Sequence, residues 1–254
     1  MMKGTQEAGR KSILAVFAHP DDELFIAPIL SRYAREGVDC HLAIATDGRF
    51  GMAPHMNGLA GDDLADLRRK ELLSAGKEIG INPPISMNFA DGFSHKTPVL
   101  KTALKDLSDL YDAVLKLIED IDPSVLITFG PDGVYGHPDH TTVGNVVTTV
   151  FQAMSPAVNT RLYYPGICIQ DFPELFDTDS NSFDRKRYGL DSKNLPIKIN
   201  FSADDAKAAH RSLSCHQSQF TQSGIDAMCE LFHRHGYVRF RAWDGNYEDG
   251  ASLF

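Results

Sequence analysis

Short apolar runs alternate with longer segments of helical periodicity through the first half of the chain. The runs, rich in β-branched residues, predict strands at 12–18, 38–45, 85–89 and 124–129. Apolar residues at helical intervals predict helices at 24–36, 61–80 and 101–121. Strands and helices in alternation favour a mostly parallel sheet that helices cover on both faces. The sequence therefore predicts an α/β fold, a Rossmann-like three-layer sandwich.

The alternation weakens beyond about residue 155. The stretch 170–195 is rich in Asp, Ser, Asn and Pro, which predicts a long surface excursion before a final helical stretch that starts near residue 203. Three phenylalanines are expected to anchor this polar segment by packing, with an apolar wall for a substrate conjugate as the alternative: Phe172, Phe176 and Phe183.

One large core is the simplest organisation for 254 residues, which can bury about three quarters of the surface that the unfolded chain exposes. We expect a polar, disordered tail at 1–11 and a single domain at 12–254. Residues 12–150 would form its core and its chemical site, and residues 155–254 would form a C-terminal part that decides the substrate.

The connection from Thr46 to Gly61 is long for a loop between a strand and a helix, and it contains glycines, a proline and methionines. Loops of this length are more often functional than idle, so we predict a mobile lid with Asp47 and Arg49 near its base. A plain surface loop is the alternative.

The charge of the chain narrows the possible partners. A formal net charge of −9 at pH 7 argues against nucleic acid, whose binding depends on clustered Lys and Arg. The sequence contains neither an apolar run long enough to span a membrane nor a recognisable signal peptide, so we expect a cytoplasmic protein. Its four cysteines are scattered and are expected to be reduced, without a chemical role. A homo-oligomer is possible, but no heptad pattern fixes a stoichiometry.

Two histidine-rich clusters, Ala18–Glu23 and Gly136–His140, follow the first and last of the predicted strands. Ligands of open α/β sheets bind at the carboxyl ends of strands, where both clusters would lie. His19 and Asp22 are three residues apart and can converge on one point, and His140 can complete a set of two histidines and one carboxylate. A catalytic divalent metal needs about three such ligands and one open position. Turn and N-cap chemistry is the alternative interpretation of each His-Pro-Asp sequence.

Several short segments together resemble the motifs of the LmbE-like, or PIG-L, family of zinc-dependent N-deacetylases. They occur in the family's order: Ala18-His19-Pro20-Asp21-Asp22-Glu23, Thr46-Asp47-Gly48, Arg68-x-x-Glu71, Asp91-Gly92 and Gly136-His137-Pro138-Asp139-His140. The resemblance covers residues 12–150, and beyond them it continues only in the pair Ser218-Gln219. It implies a zinc enzyme that removes acetate from an N-acetylglucosaminyl conjugate, a small-molecule partner.

The resemblance also implies the role of each residue. His19, Asp22 and His140 would bind Zn²⁺, although the same ligands accept Fe²⁺ or another divalent ion. Asp21 would be the general base for the attacking water, with a helix cap as its alternative role. His137 would act as an imidazolium that stabilises the oxyanion or protonates the leaving amine.

Four further residues receive supporting roles from the resemblance. Asp139 would orient a histidine from behind the metal site. Arg68, Asp91 and Tyr135 would bind the substrate. Alternatively, Arg68 would belong to a solvent-exposed run of charged residues, Asp91 would be a turn residue and Tyr135 would be an aromatic residue of a loop. The other histidines are expected to lie in the core or on the surface: His41, His55, His95, His210, His216, His233 and His235.

Other functions fit part of the pattern. Two histidines and a carboxylate also form the triad of non-haem iron oxygenases, but that chemistry leaves Asp21 without a task and usually occurs on an all-β core. An amide hydrolase acting on a sugar-thiol or glycolipid conjugate is a second alternative. A catalytically silent metal- or sugar-binding homologue is the third, although binding alone requires neither Asp21 nor His137.

Overall fold

The computed structural model describes residues 11–51, 53, 56, 58–92, 107–154, 160–175, 189–246 and 252–254. Several predictions fall outside this part of the chain: nearly all of the tail, His55, His95, Phe176, Phe183, and parts of the 46–61 connection and the 170–195 excursion. No helix among the described residues combines the length and the apolar character needed to cross a membrane.

A seven-stranded sheet forms the centre of the molecule, in the order β3-β2-β1-β4-β5-β7-β6. The strands are β1 Ser12–Phe17, β2 Asp39–Thr46, β3 Ile85–Phe89, β4 Val125–Thr128, β5 Arg161–Pro165, β6 Ile197–Asn200 and β7 Tyr237–Ala242. Strands β1 to β5 pair in parallel, and β7 pairs antiparallel with both β5 and β6. The predicted mostly parallel sheet is confirmed.

Helices cover both faces of this sheet. They are α1 Ala27–Arg35, α2 Gly61–Glu78, α3 Leu107–Ile121, α4 Pro138–Ala153, α5 Ala203–Leu213 and α6 Gln222–His233. Helices α1 and α2 both contact α5, whereas α3 contacts α4. Right-handed crossovers that run in opposite directions from β1 put these two groups on opposite faces. The predicted three-layer arrangement is confirmed.

The helix predicted at 24–36 is shorter and divided. A 3₁₀ turn at Asp22–Phe25 precedes α1, which begins at Ala27 with Pro28 in its first turn. Proline suits this position because it has no N–H group to satisfy there. The helix predicted at 101–121 is described from Leu107 to Ile121.

The core lies where β1 and β4 meet the helices. All six residues of β1 are buried, as are the four of β4. Gly144 of α4 lies against the end of β4, where a Cβ would overlap the carbonyl oxygen of Phe129. The missing side chain therefore lets the helix that carries His140 pack directly on the strand.

Candidate metal centre and active site

The candidate site lies at the carboxyl edge of the sheet, between β1 and β4. From β1 the chain proceeds to β2 and β3 on one side, and from β4 to β5 on the other. Such a reversal of strand order leaves a crevice outside the carboxyl ends, where ligands bind in open α/β sheets. The loop after β1 carries His19 to Glu23, and the loop after β4 leads to His137 and His140. The two histidine clusters thus meet at this crevice.

Three histidines converge in the crevice. His19, His137 and His140 each offer a ring nitrogen, and these nitrogens lie within 4.8 Å of one another. Asp22 adds a carboxylate, since its Oδ1 is 3.1 Å from His140 Nε2 and its Oδ2 is 3.5 Å from His19 Nδ1. The structure therefore brings the predicted ligands His19, Asp22 and His140 together, with His137 beside them.

The two ring nitrogens of His140 have different surroundings. Nδ1 donates a hydrogen bond to the carbonyl oxygen of Gly133 at 3.1 Å. Nε2 is buried and has no hydrogen-bond partner among the described residues, although it faces Asp22 Oδ1. An imidazole nitrogen and a carboxylate oxygen at this distance are held together either by a proton on the ring or by a cation that both bind, and a ligating histidine commonly donates its other N–H to a carbonyl. The residues therefore fit a divalent metal.

His19 is held from both sides. Its Nε2 bonds to Asp139 Oδ2 at 3.0 Å, and its backbone N–H donates to Asp22 Oδ2 at 2.7 Å. Burial lowers the pKa of the His19 ring, but the hydrogen bonds and charges of Asp139 and Asp22 outweigh burial and raise it to about 10. Asp139 also accepts the backbone N–H of Gly92 at 3.2 Å. Asp139 thus fixes the ring of His19 from behind.

Asp22 stays ionised in this environment. Burial alone would raise the pKa of its carboxyl, but the neighbouring rings of His140 and His19 hold the pKa well below its usual range. The carboxylate also accepts the backbone N–H of Ala18 at 3.2 Å. Asp22 therefore brings a fixed negative charge to the point on which the histidines converge.

The carboxyl group of Asp21, next to Asp22 in the chain, has a raised pKa. Its backbone is left-handed, with φ of 112°, and its N–H donates to Glu23 Oε2 at 3.1 Å. Burial raises the pKa of the Asp21 carboxyl to about 6, with the charges of Asp22 and Glu23 adding to burial and Arg68 and His216 opposing it. A base whose pKa lies close to neutral pH is well suited to proton transfer.

Arg68 is placed differently from the prediction. The residue is 3% exposed. Its guanidinium donates to the carbonyl oxygens of Pro20 at 2.6 Å and Gly48 at 3.1 Å, and to Asp21 Oδ2 at 3.2 Å. These contacts leave little surface for a substrate. Arg68 instead fixes the Asp21 loop, a role that its position in a charged helical segment did not indicate.

Asp91 is likewise directed inward. It is 3% exposed, and both of its oxygens accept the backbone N–H of Phe50 at 3.1 Å. Burial raises the pKa of its carboxyl above the usual value. Asp91 therefore holds the loop after β2 and has little surface to offer to a sugar hydroxyl group, which was its predicted partner.

His137 reaches the site as the N-cap of α4. Its Nδ1 accepts the backbone N–H of Asp139 at 3.2 Å, which requires that this nitrogen carry no proton. Burial and the neighbouring rings of His19 and His140 lower the pKa of His137 to about 3. With Nδ1 accepting this hydrogen bond the ring is neutral in this structure, whereas the resemblance implied an imidazolium during the reaction. A neutral ring still offers its Nε2–H as a hydrogen-bond donor.

Tyr135 lies beside these rings. Its centroid is 5.1 Å from that of His140 and 6.1 Å from that of His137. The residue follows Val134, whose φ is 64°. The structure thus places Tyr135 at the edge of the histidine cluster.

A buried polar layer behind Asp21 was not predicted. His216 Nε2 and Glu23 Oε1 are 2.5 Å apart, and both residues are almost fully buried. Close by, Ser218 donates to Glu71 through its backbone N–H at 2.8 Å and its hydroxyl at 2.6 Å. His216 was expected to lie either in the core or on the surface, and it lies in the core. Its acidic partner, Glu23, is distant in the sequence. The only signal was the short resemblance at Ser218-Gln219.

The family comparison agrees with this arrangement. A family model described as PIG-L, GlcNAc-PI de-N-acetylase, matches residues 14–151, more than half of the chain. The chain belongs to the PIG-L family. The matched segment contains both histidine clusters, and the resemblance seen in the motifs is confirmed.

Among curated relatives, the deacetylase of 1D-myo-inositol 2-acetamido-2-deoxy-alpha-D-glucopyranoside from Rhodococcus opacus (strain B4) is 33% identical over 158 residues. The alignment covers 56% of this chain and 54% of the relative. The chain therefore spans just over half the length of that relative.

Solved structures share the fold at low identity. N,N'-diacetylchitobiose deacetylase from Pyrococcus horikoshii has a TM-score of 0.62 at 17% identity, over 92% of this chain and 84% of that chain. GalB, the 4-carboxy-2-hydroxymuconate hydratase from Pseudomonas putida KT2440, has a TM-score of 0.61 at 14% identity, over 95% of this chain and 100% of that chain. A deacetylase and a hydratase thus share this fold, so the reaction must be argued from the site.

Proposed function

We propose that this PIG-L protein is a metal-dependent deacetylase that removes the acetyl group from an N-acetylated amino sugar or its conjugate. The observation that carries the proposal is that Nε2 of His140 has no hydrogen-bond partner among the described residues and faces the carboxylate of Asp22. Asp21, the residue before Asp22, supplies a second carboxyl group. The relative from Rhodococcus opacus is a deacetylase of an N-acetylated glucosaminyl inositol, which supports the same substrate class.

His19, Asp22 and His140 would hold the metal, and we propose zinc, with Fe²⁺ as the alternative. A bound divalent ion supplies Lewis acidity toward the water and the amide carbonyl. The set of two histidines and one carboxylate leaves a position open for reactants. Asp139, which fixes the His19 ring at 3.0 Å, would keep this ligand in place.

The chain's own residues account for the proton transfers. Asp21 accepts a proton from the attacking water as the new C–O bond forms. The Nε2–H of neutral His137 donates a hydrogen bond to the oxygen on which negative charge develops. Asp21 then returns the proton to the departing nitrogen as the C–N bond breaks. The products are acetate and the free amine.

His137 is a competing candidate ligand, because it belongs to the group of three converging histidines. Our assignment leaves it outside the ligand set, because the motif resemblance gives the ligand role to His19, Asp22 and His140. Metal content after dialysis separates the two sets. We expect H140A to lose the metal and H137A to keep it, whereas loss of the metal from H137A would favour the three-histidine set.

An assay of amine release tests the proposed activity. Metal-stripped protein, reloaded with Zn²⁺ or Fe²⁺, is given a panel of N-acetylglucosamine conjugates with inositol, thiol-bearing and lipid aglycones. We expect release of the free amine from at least one conjugate, and only after reloading. Zinc bound tightly without turnover of any conjugate would overturn the proposal in favour of a binding role. The cytoplasmic location and a homo-oligomeric state stay predictions.

A further inference from the structure

Arg241 of β7 reaches the loop after β4 from outside the segment that the family model matches. Its Nη2 is 2.5 Å from Asp132 Oδ1, and its guanidinium lies 5.5 Å from the ring centre of Tyr164 on β5. Gly130 makes this approach possible, because a Cβ there would overlap Arg241 Nη2. The local structure is thus built to admit the guanidinium.

Asp132 links Arg241 to the backbone of the loop after β4. Its Oδ2 accepts the backbone N–H of Val134 at 3.0 Å, while its own carbonyl accepts the N–H of Gly136 at 2.9 Å. Val134 has a φ of 64°, a conformation that β-branched residues rarely adopt. Such a conformation persists only where the surroundings enforce it. The Asp132 carboxylate is one of the groups that enforce it.

The peptide unit between Gly133 and Val134 joins Asp132 to the metal site. The N–H and C=O groups of a trans peptide point in opposite directions. Here the N–H is bound to Asp132, and the carbonyl of Gly133 accepts from His140 Nδ1 at 3.1 Å. One rigid plane therefore sets the orientation of the His140 ring.

We propose that Arg241 is a positioning residue for the metal ligand His140, acting through Asp132 and the Gly133–Val134 peptide. The inference rests on the proposed function, in which His140 binds the metal. Groups that hold a ligand from behind typically change metal affinity by about 10- to 100-fold. Arg241 therefore tunes the site from a strand that the sequence motifs do not include.

Arg239 provides a matched control on the same strand. It also forms an ion pair, largely buried, with its Nε 2.5 Å and its Nη2 3.1 Å from the two oxygens of Asp171. Its Nη1 donates to the carbonyl oxygen of Leu195 at 3.1 Å, so these hydrogen bonds lead away from the 130–140 loop. R239Q therefore removes a comparable ion pair without touching the Asp132 relay.

The test measures Zn²⁺ affinity by competition with a chromophoric chelator, and the visible spectrum of the Co²⁺-loaded protein. We expect R241Q to weaken Zn²⁺ binding by about 10- to 100-fold and to shift the Co²⁺ bands. R241K, which retains a positive charge near Asp132, should recover part of the affinity. R239Q should bind Zn²⁺ as the parent does, whatever its thermal stability.

Parental Zn²⁺ affinity and a parental Co²⁺ spectrum in R241Q would overturn the inference. If R241Q does not fold, D132N replaces it, because Asn keeps an acceptor for Val134 N–H but loses the charge that holds Arg241. Parental affinity in D132N would overturn the inference equally. H140A separates this failure from failure of the proposed function: if H140A still binds Zn²⁺ tightly, the ligand assignment itself is wrong.

Discussion

The acidic residues around Asp21 differ in what compensates their burial. Asp22 faces two histidines, Glu23 faces His216, and Asp21 itself contacts Arg68. Uncompensated charge is costly in a protein interior, so each carboxylate depends on its partner. Sequence motifs predicted which side chains would meet at the candidate metal site. They did not predict that Arg68 and Asp91 point inward, because burial of a charged residue depends on partners from distant segments.

The buried pair of His216 and Glu23 should contribute strongly to stability. H216A leaves the Glu23 carboxylate buried without its 2.5 Å partner, so we expect the free energy of unfolding to fall by about 3–5 kcal/mol. Urea denaturation of the metal-free protein measures this change. H210A is the matched control, because His210 pairs with Asp226 on the surface, and it should change the unfolding free energy by about 0–1 kcal/mol. Equal losses of unfolding free energy in H216A and H210A would show that burial of the His216–Glu23 pair does not increase its contribution to stability.

At the scale of elements, the sequence predicted the first four strands and the helices between them, since long runs with clear periodicity are read reliably. Strands β5, β6 and β7 were not predicted. β6 has four residues and buries only alternate ones, and most of β7 is half-buried, so neither produces a recognisable run. The antiparallel pairing of β7 with β5, and of β6 with β7, is set by tertiary contacts.

Helix α4 must lie close to β4 to present His140, and Gly144 permits this approach. G144A would place a methyl group in steric conflict with the carbonyl oxygen of Phe129. We expect a loss of about 1–3 kcal/mol of unfolding free energy, together with weaker Zn²⁺ binding. N145A, one residue further along the helix on its exposed side, should stay within about 0.5 kcal/mol of the parent. Unchanged stability and affinity in G144A would show that this close contact is unnecessary.

Helix α5 begins with a capping box in which Asp205 accepts from Ser202, and Asp205 also receives Arg35 of α1 at 3.0 Å. Burial opposes ionisation of Asp205, but the hydrogen bonds from Arg35 and Ser202 outweigh burial and lower its pKa below the usual value of 3.8. The stabilisation is therefore complete above about pH 4 and is lost as the pH falls below it. We expect D205N to cost about 1–2 kcal/mol at pH 7, with the difference shrinking under acid conditions.

Chemical denaturation between pH 7 and pH 3 tests this dependence. D204N, which changes the exposed neighbouring carboxylate of the same helix turn, is the control and should show a small effect across the range. If the D205N deficit persists undiminished at the acid end, ionisation of Asp205 is not the source of the stabilisation.

At the scale of the whole molecule, the reversal of strand order between β1 and β4 brings together two clusters that are more than a hundred residues apart in the sequence. The sequence predicted this meeting because both clusters follow parallel strands. It could not predict that Arg241 would pair with Asp132 or that His216 would pair with Glu23. Arg241 and His216 lie in the C-terminal part, where the alternation of strands and helices gives way to a mixed sheet.

The proposed mechanism depends above all on Asp21 as the general base of a metal-dependent deacetylase. D21N probes this role, because Asn tolerates the left-handed backbone found at this position, with φ of 112°. The measurement is acetate release by zinc-loaded parent and D21N from an N-acetylglucosaminyl conjugate that the parent hydrolyses, with zinc content determined on the same samples. We expect turnover lower by about 10²- to 10⁴-fold with zinc retained. Parental turnover in D21N, or loss of its zinc, would contradict the assignment of Asp21 as the base.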